Sequence, residues 1–236
     1  WIMILADYYQ KTNARAFAKN QIEYLKGLLT QIDGCVKENG ELNYPKYFLD
    51  WPTHNQPDEI HGVHAISVIA MKKAVQLLKD FEEDSSFTEE ILNRLLKIEI
   101  KVEKSKQALG LKYFAVGLTE EEKEKLTADG AKGMSTFMSY YILKAVASFD
   151  KEKAVKMMKE YYGAMLDKGA TTFWEDFDIA WVKNSCRIDE FPKRGEKDIH
   201  GDFGAYCYKR FRHSLCHGWS AGVIAFIKEE ELAIIQ

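Results

Sequence analysis

Apolar residues recur along this chain with the period of helices almost from end to end, and the spacing predicts seven helical segments: 1–12, 14–30, 59–79, 88–109, 134–149, 151–167 and 213–228. The segments are of two kinds. The first (Trp1 to Ala6, then Tyr8 and Tyr9) is apolar on nearly every side, and the second carries Phe17, Ile22, Leu25, Leu28 and Leu29 on one stripe with Lys19, Glu23 and Lys26 opposite. The third (Val63, Ala65, Ile66, Val68, Ile69) is apolar all round. The fourth is striped (Ile91, Leu95, Ile98, Val102), the fifth (Phe137 to Val146) apolar, the sixth striped (Val155, Met158, Tyr162, Met165) and the seventh (Leu215, Trp219, Val223, Ile224, Phe226) apolar again. A helix apolar on every side must be enclosed, whereas a striped helix faces water on one side. The alternation predicts two layers of helices, one inside the other.

The connections carry a second regularity. Apolar-to-striped links are short (Thr12-Asn13, Asp80 to Phe87, Phe149-Asp150), and striped-to-apolar links are long (Gln31 to Asp58, Gly110 to Gly133, Asp167 to Arg212). Loops beyond about 12–15 residues are uncommon in compact domains unless they carry function. All three long loops then fall at one end, where the apolar helices begin. This predicts an all-α fold, part of an (α/α)6 toroid of about three and a half helical hairpins. Residues 1–228 would form the partial catalytic domain and 229–236 the start of a following segment. Strand signals are nearly absent; the best is Lys112 to Val116. The run Glu120 to Lys125 reads as a solvated helical turn.

Composition narrows the class. The 236 residues are 46% hydrophobic and 29% charged with a net charge of −3, so 33 basic residues face 36 acidic ones and leave no nucleic-acid footprint. No apolar run is long enough to span a membrane. The four cysteines (Cys35, Cys186, Cys207, Cys216) lack the spacing of a disulfide framework or a CxxC site. The chain opens on Trp1-Ile2-Met3-Ile4-Leu5 and stops at Ala233-Ile234-Ile235-Gln236, both apolar, so it is expected to be a piece of a longer protein, and its compartment stays open.

The long loops contain the chemistry. The first reads Phe48-Leu49-Asp50-Trp51-Pro52-Thr53-His54, the third opens Gly169-Ala170-Thr171-Thr172-Phe173-Trp174-Glu175-Asp176-Phe177-Asp178, and it closes into Ser214-Leu215-Cys216-His217-Gly218-Trp219. Aromatic faces stack on the C–H side of a sugar ring, while carboxylates hold hydroxyls or move protons. Carbohydrate is therefore the expected partner. Each residue also has a plainer reading: Glu175 as a surface acid in an acidic turn, His217 as a core histidine, Trp51 and Trp174 as core. Asp50, between Leu49 and Trp51, is harder to set aside, because aspartate is seldom buried without a partner. His61 and His64, one turn apart after Asp58-Glu59, together with Cys216-His217, raise a metal reading. Asp58 and Glu59 suit a helix start equally well, and no further ligand falls at the right spacing, so neither metal nor cofactor is expected.

At these same residues the chain resembles the bacterial α-L-rhamnosidases of glycoside hydrolase family 78. Gly169 to Glu175 carries the likeness most specifically, with Phe48 to Pro52, Ser214 to Gly218, Trp1 to Thr12 and Asp129 to Tyr141 in support. The resemblance implies an (α/α)6 catalytic domain that hydrolyses terminal α-L-rhamnosides with inversion. It places Glu175 at the water-activating base, His217 at a sugar-binding histidine and Trp51 at an aromatic of the sugar pocket, with Asp50 and Trp174 beside them. The family's general acid lies in an upstream acidic segment that this sequence lacks, so the chain alone is expected to be nearly inactive. Other readings are a different (α/α)6 sugar enzyme (a uronyl hydrolase, a glucoamylase-like hydrolase or an epimerase) and a non-catalytic helical binding scaffold. The unequal, aromatic-rich loops argue against the scaffold, whose repeats keep a near-constant period.

Overall fold

A computed structural model describes residues 1–203 and 213–232. The end of the third long loop, with Cys207, and residues 233–236, in the expected following segment, lie outside the described residues. Among the described residues the chain is all-α, with only two isolated bridges (Val36 with Leu42, Ser185 with Lys197) and no strand. None of the described helices is long and apolar enough to cross a membrane. The helices are α1 (Ile2–Thr12), α2 (Arg15–Lys19), α3 (Ile22–Asp33), α4 (Asp58–Asp80), α5 (Ser86–Leu95), α6 (Lys106–Val116), α7 (Glu120–Thr127), α8 (Ser139–Ala147), α9 (Lys151–Asp167) and α10 (Gly222–Glu229). Two compact units share them, one of residues 1–47 and 60–101, the other of 48–59 and 102–236.

In the first unit, α1 ends at Asn13, whose left-handed backbone (φ 52°) returns its N–H to the Tyr9 carbonyl. The expected 14–30 helix is two helices, because Asn20 and Gln21, with Gln21 N–H bonded to Ala18, tighten one turn before Ile22, Leu25 and Leu29 enter the core. α4 is buried along its first turns, with Val63, His64, Ala65, Val68 and Ile69 all enclosed. The imidazole of His64 bonds the Leu95 carbonyl at 2.9 Å, and burial lowers its pKa; this is a core histidine of the plain kind. The enclosure expected of α1 does not hold: Ile2, Leu5 and Ala6 are buried while Ile4 is 73% exposed.

The segment read as 88–109 is not one helix: α5 belongs to the first unit and α6 to the second. The helix stops at Leu95, and Ile98, Ile100 and Val102 follow with the alternation of extended backbone. The Asp58 carboxylate accepts the N–H groups of Glu103, Lys104 and Ser105 (2.8–3.0 Å) and so fixes this stretch against a new helix start. Ser105 caps α6 by accepting the Ala108 N–H. The stretch Lys112 to Val116, read as the best strand, lies inside α6. Its β-branched and aromatic residues are outweighed by burial of Ala108, Leu109, Leu111 and Ala115 along a helix.

α6 and α7 therefore make a hairpin that periodicity alone did not separate. α7 begins with a capping box between Thr119 and Glu122. α8 lies between α6 and α9 and also packs on α10. α9 starts at the Asp150 cap and buries Ala154, Met157, Tyr161 and Met165; Met165 was expected, and the other three each lie one residue before the expected position. α8 and α10 begin later than expected, at Ser139 and Gly222, because residues 134–138 and 213–217 are held by tertiary hydrogen bonds. α10 buries Val223 and Phe226 but leaves Ile224 54% exposed.

Gly110 marks the closest approach of α6 to α8: a Cβ there would lie 3.1 Å from the Ile142 nitrogen and 3.2 Å from its Cα. Both are backbone atoms and cannot swing away. Gly110→Ala is therefore expected to destabilise the protein by about 1–2 kcal/mol despite alanine's better helix propensity. Urea unfolding checks this; a variant as stable as the parent, or more so, would mean that the two helices separate freely.

Candidate functional site

The site lies wholly within the second unit and is assembled by two adjacent hydroxyls. Asp50 caps the 3₁₀ turn Trp51–Thr53, one carboxylate oxygen accepting the Trp51 N–H at 2.8 Å. Its other oxygen accepts a short hydrogen bond from the Ser135 hydroxyl. The next residue, Thr136, donates its hydroxyl to the Glu175 carbonyl at 2.5 Å. One dipeptide thus joins the first long loop to the third. Asp50 is almost wholly buried, and that burial, only partly offset by Ser135 and Trp51, pushes its pKa up to about 6.

Glu175 is clamped by the segment that closes the third loop. Its N–H donates to the Ser214 carbonyl, and the His217 N–H donates to the Phe173 carbonyl, both at 2.8 Å. The Ser214 N–H returns to the Glu175 Oε2 at 2.8 Å, and His217 Nδ1 stands 3.9 Å from the same oxygen. The Trp219 indole N–H donates to the Glu175 carbonyl at 3.1 Å, while its ring lies 4.6 Å from the His217 ring, centre to centre. Residues 42 apart in sequence, Glu175 and His217, are thereby held together, with His217 a third exposed and Glu175 largely covered.

The aromatic residues divide. Trp51 forms a cluster with Phe48 and His54, ring centres 4.9 and 6.2 Å from its own. His54 is paired through Nδ1 with the buried Glu59 at 3.1 Å. Trp174 is fully buried against Phe177 and His213, so it shields the site from behind and offers no open face to a ligand. Asp50 likewise has both oxygens engaged, as a cap and a tie, and meets no solvent. Asp178 caps the 3₁₀ turn that follows it by accepting the Ala180 N–H. His213 is buried with both ring nitrogens unpartnered, and burial pushes its pKa down to about 4, leaving it a neutral core ring.

Asp176 was absent from the expected set. It is 3% exposed, its Oδ2 has no hydrogen-bond partner, and its pKa is pushed up to about 7, first by burial and then by the charge of Asp50. The signal for it was available in the flanking residues: a Glu-Asp doublet between Trp174 and Phe177 cannot place both carboxylates in water. Ser135 and Thr136 carried no such signal. Among the described residues no group of three or more His, Cys, Asp or Glu side chains is arranged to hold a metal ion.

No family model matches the chain, and no curated relative does. Its structure is similar to that of a rhamnosidase from Klebsiella oxytoca with rhamnose bound, at 19% identity and a TM-score of 0.72 over 98% of this chain. At that identity the likeness establishes the fold, an all-helical one consistent with part of a helical toroid. The chain spans 46% of the length of that structure.

A carboxyl group whose pKa rises on folding keeps its proton in the folded state at pH values where the unfolded chain has lost it. Stability then falls as pH climbs from about 4 to about 7 and is level above that. Asp176→Asn removes the penalty. The variant is expected to exceed the parent's stability by more than about 1 kcal/mol at pH 8, with the gap closing towards pH 4. Denaturant unfolding at both pH values measures it, and a gap independent of pH would show that Asp176 is not held protonated.

Proposed function

We propose that this chain is the base-bearing part of a glycoside hydrolase catalytic domain that cleaves terminal α-L-rhamnosides with inversion, Glu175 activating the attacking water. The observation that carries this reading is the clamp on Glu175: a covered carboxylate with one oxygen fixed by the Ser214 N–H, and His217 reaching the same oxygen from the solvent side. The likeness to a rhamnose-bound rhamnosidase supports it, as do the Gly169 to Glu175 and Ser214 to Gly218 motifs.

In this mechanism the Ser214 amide orients the Glu175 carboxylate so that its remaining oxygen accepts the proton of the nucleophilic water. His217 holds a sugar hydroxyl, and Trp51, with Phe48 and His54 around it, gives the ring an apolar face. Inversion needs a second carboxyl group roughly 6.5–9.5 Å from the first to protonate the leaving oxygen. We assign that group to a part of the protein outside this chain. The chain alone then binds the sugar without turning it over.

Two measurements test the reading. In the larger protein, Glu175→Gln keeps size and hydrogen bonding but removes the proton acceptor, so kcat on an aryl α-L-rhamnoside should fall by about 10²–10⁴ with KM within a few-fold of the parent's. The anomer released, followed by NMR, should be the inverted one. Parent-like turnover in the variant would remove Glu175 from the mechanism, and a retained anomer would remove the single-displacement chemistry.

A further inference from the structure

The peptide group between His213 and Ser214 is hydrogen-bonded at both edges. Its N–H donates to Glu175 Oε2 at 2.8 Å, and its carbonyl accepts a hydrogen bond from the imidazole of His200, with Nε2 2.7 Å from the oxygen. A carbonyl can only accept, so His200 carries a proton on Nε2. In a trans peptide the N–H and the C=O point to opposite sides of one rigid plane. His200 and Glu175 therefore hold the same plane from opposite edges, although His200 lies outside the motifs that carry the sugar chemistry.

His200 is itself fixed by its own turn, residues 198–202. The Asp198 carboxylate accepts the N–H groups of His200 (2.8 Å) and Gly201 (3.0 Å). The Asp198 N–H donates to the Asp202 carboxylate and the Asp202 N–H to the Asp198 carbonyl, both at 2.9 Å, which closes the turn. Ile199, inside it, is fully buried and anchors it to the core. The His200 ring meets the His213 ring edge-on, with centres 4.8 Å apart. The His213 side chain supplies shape alone: it is packed on Trp174 and Trp181, both its nitrogens lack partners, and burial keeps it neutral. What this part of the loop delivers to the site is the His213 carbonyl, seated against His200.

We infer that His200 is a positioning residue for Glu175, acting through the 213–214 peptide. The inference rests on the function proposed above and deepens it. A hydrogen bond at a peptide's carbonyl draws electron density from its nitrogen, so the N–H on the other edge becomes a stronger donor. That N–H orients the Glu175 carboxylate, and misorientation of a reacting group is costly in rate. His217 is placed separately, by its N–H on the Phe173 carbonyl at 2.8 Å. Loss of the His200 bond should therefore weaken proton acceptance and leave the hold on the sugar in place.

Three measurements test the inference. Long-range proton–nitrogen NMR spectra of this chain, which need no variant, should show His200 protonated at Nε2; a neutral ring protonated at Nδ1 would overturn it. His200→Phe keeps a ring but removes the donor, so the Ser214 amide proton should move upfield and exchange with solvent about tenfold faster. His200→Gln, whose amide nitrogen can reach the same carbonyl, should restore both. In the larger protein, His200→Phe should lower kcat on an aryl α-L-rhamnoside about tenfold with KM within a few-fold of the parent's, and His200→Gln should recover most of the loss. Added to Glu175→Gln, His200→Phe should cost nothing more, because both act on one carboxylate. An unchanged Ser214 amide in folded His200→Phe, a loss that glutamine does not recover, or a KM that rises as far as kcat falls would each overturn the inference. A Ser214 amide that follows the donor while Glu175→Gln turns over like the parent would keep the tie to Glu175 and remove the rhamnosidase reading.

Discussion

Buried carboxylates must find hydrogen-bond donors inside the fold, and the second unit of this protein is organised around that requirement. Asp50 is satisfied by the Ser135 hydroxyl and the Trp51 amide, Glu175 by the Ser214 amide, and Asp58 by three consecutive amides. Apart from the local Asp50–Trp51 bond, these bonds cross between segments far apart in sequence, so satisfying the acids also joins the loops. Leaving such a group unpaired would cost several times what a typical hydrogen bond contributes.

The exception is informative. Asp176 has an oxygen with no partner and keeps its proton into the neutral range, since its carboxyl would otherwise add a second buried charge near Asp50. Active sites are where such uncompensated groups collect, because a group poised between two protonation states is one that can exchange a proton. Its position next to Glu175 in the chain puts a neutral acid and a clamped carboxylate within one dipeptide.

The helical frame serves this arrangement from behind. α8 packs on α6, α9 and α10, and close backbone contact at Gly110 brings α6 against it. The 134–138 stretch leading into α8 carries Ser135 and Thr136, so the geometry of the ties to the Asp50 carboxylate and the Glu175 carbonyl is inherited from how firmly α8 is seated. Trp174, fully buried, belongs to this supporting layer.

What the sequence determined by itself was the class and the direction of each element. The all-helical class followed from apolar periodicity, whereas the enclosure expected of α1 and α10 did not hold; α4 and α9 began and ended within a residue or two of their expected bounds because strong local signals, Asp58 with Glu59 and the Asp150 cap, agree with the periodicity there. The chemistry-bearing loops were legible too, since acids flanked by tryptophan are conspicuous. Tertiary structure decided the rest. It split 88–109, because Asp58, some 45 residues earlier, captures the amides ahead of α6, and it turned an apparent strand into helix through burial. It moved Trp174 to the core and made Asp50 a structural tie, and it brought Asp176, Ser135 and Thr136 into the site. A local pattern records which residues avoid water; which partner a buried polar group finds depends on segments distant in sequence, and no local period carries that information.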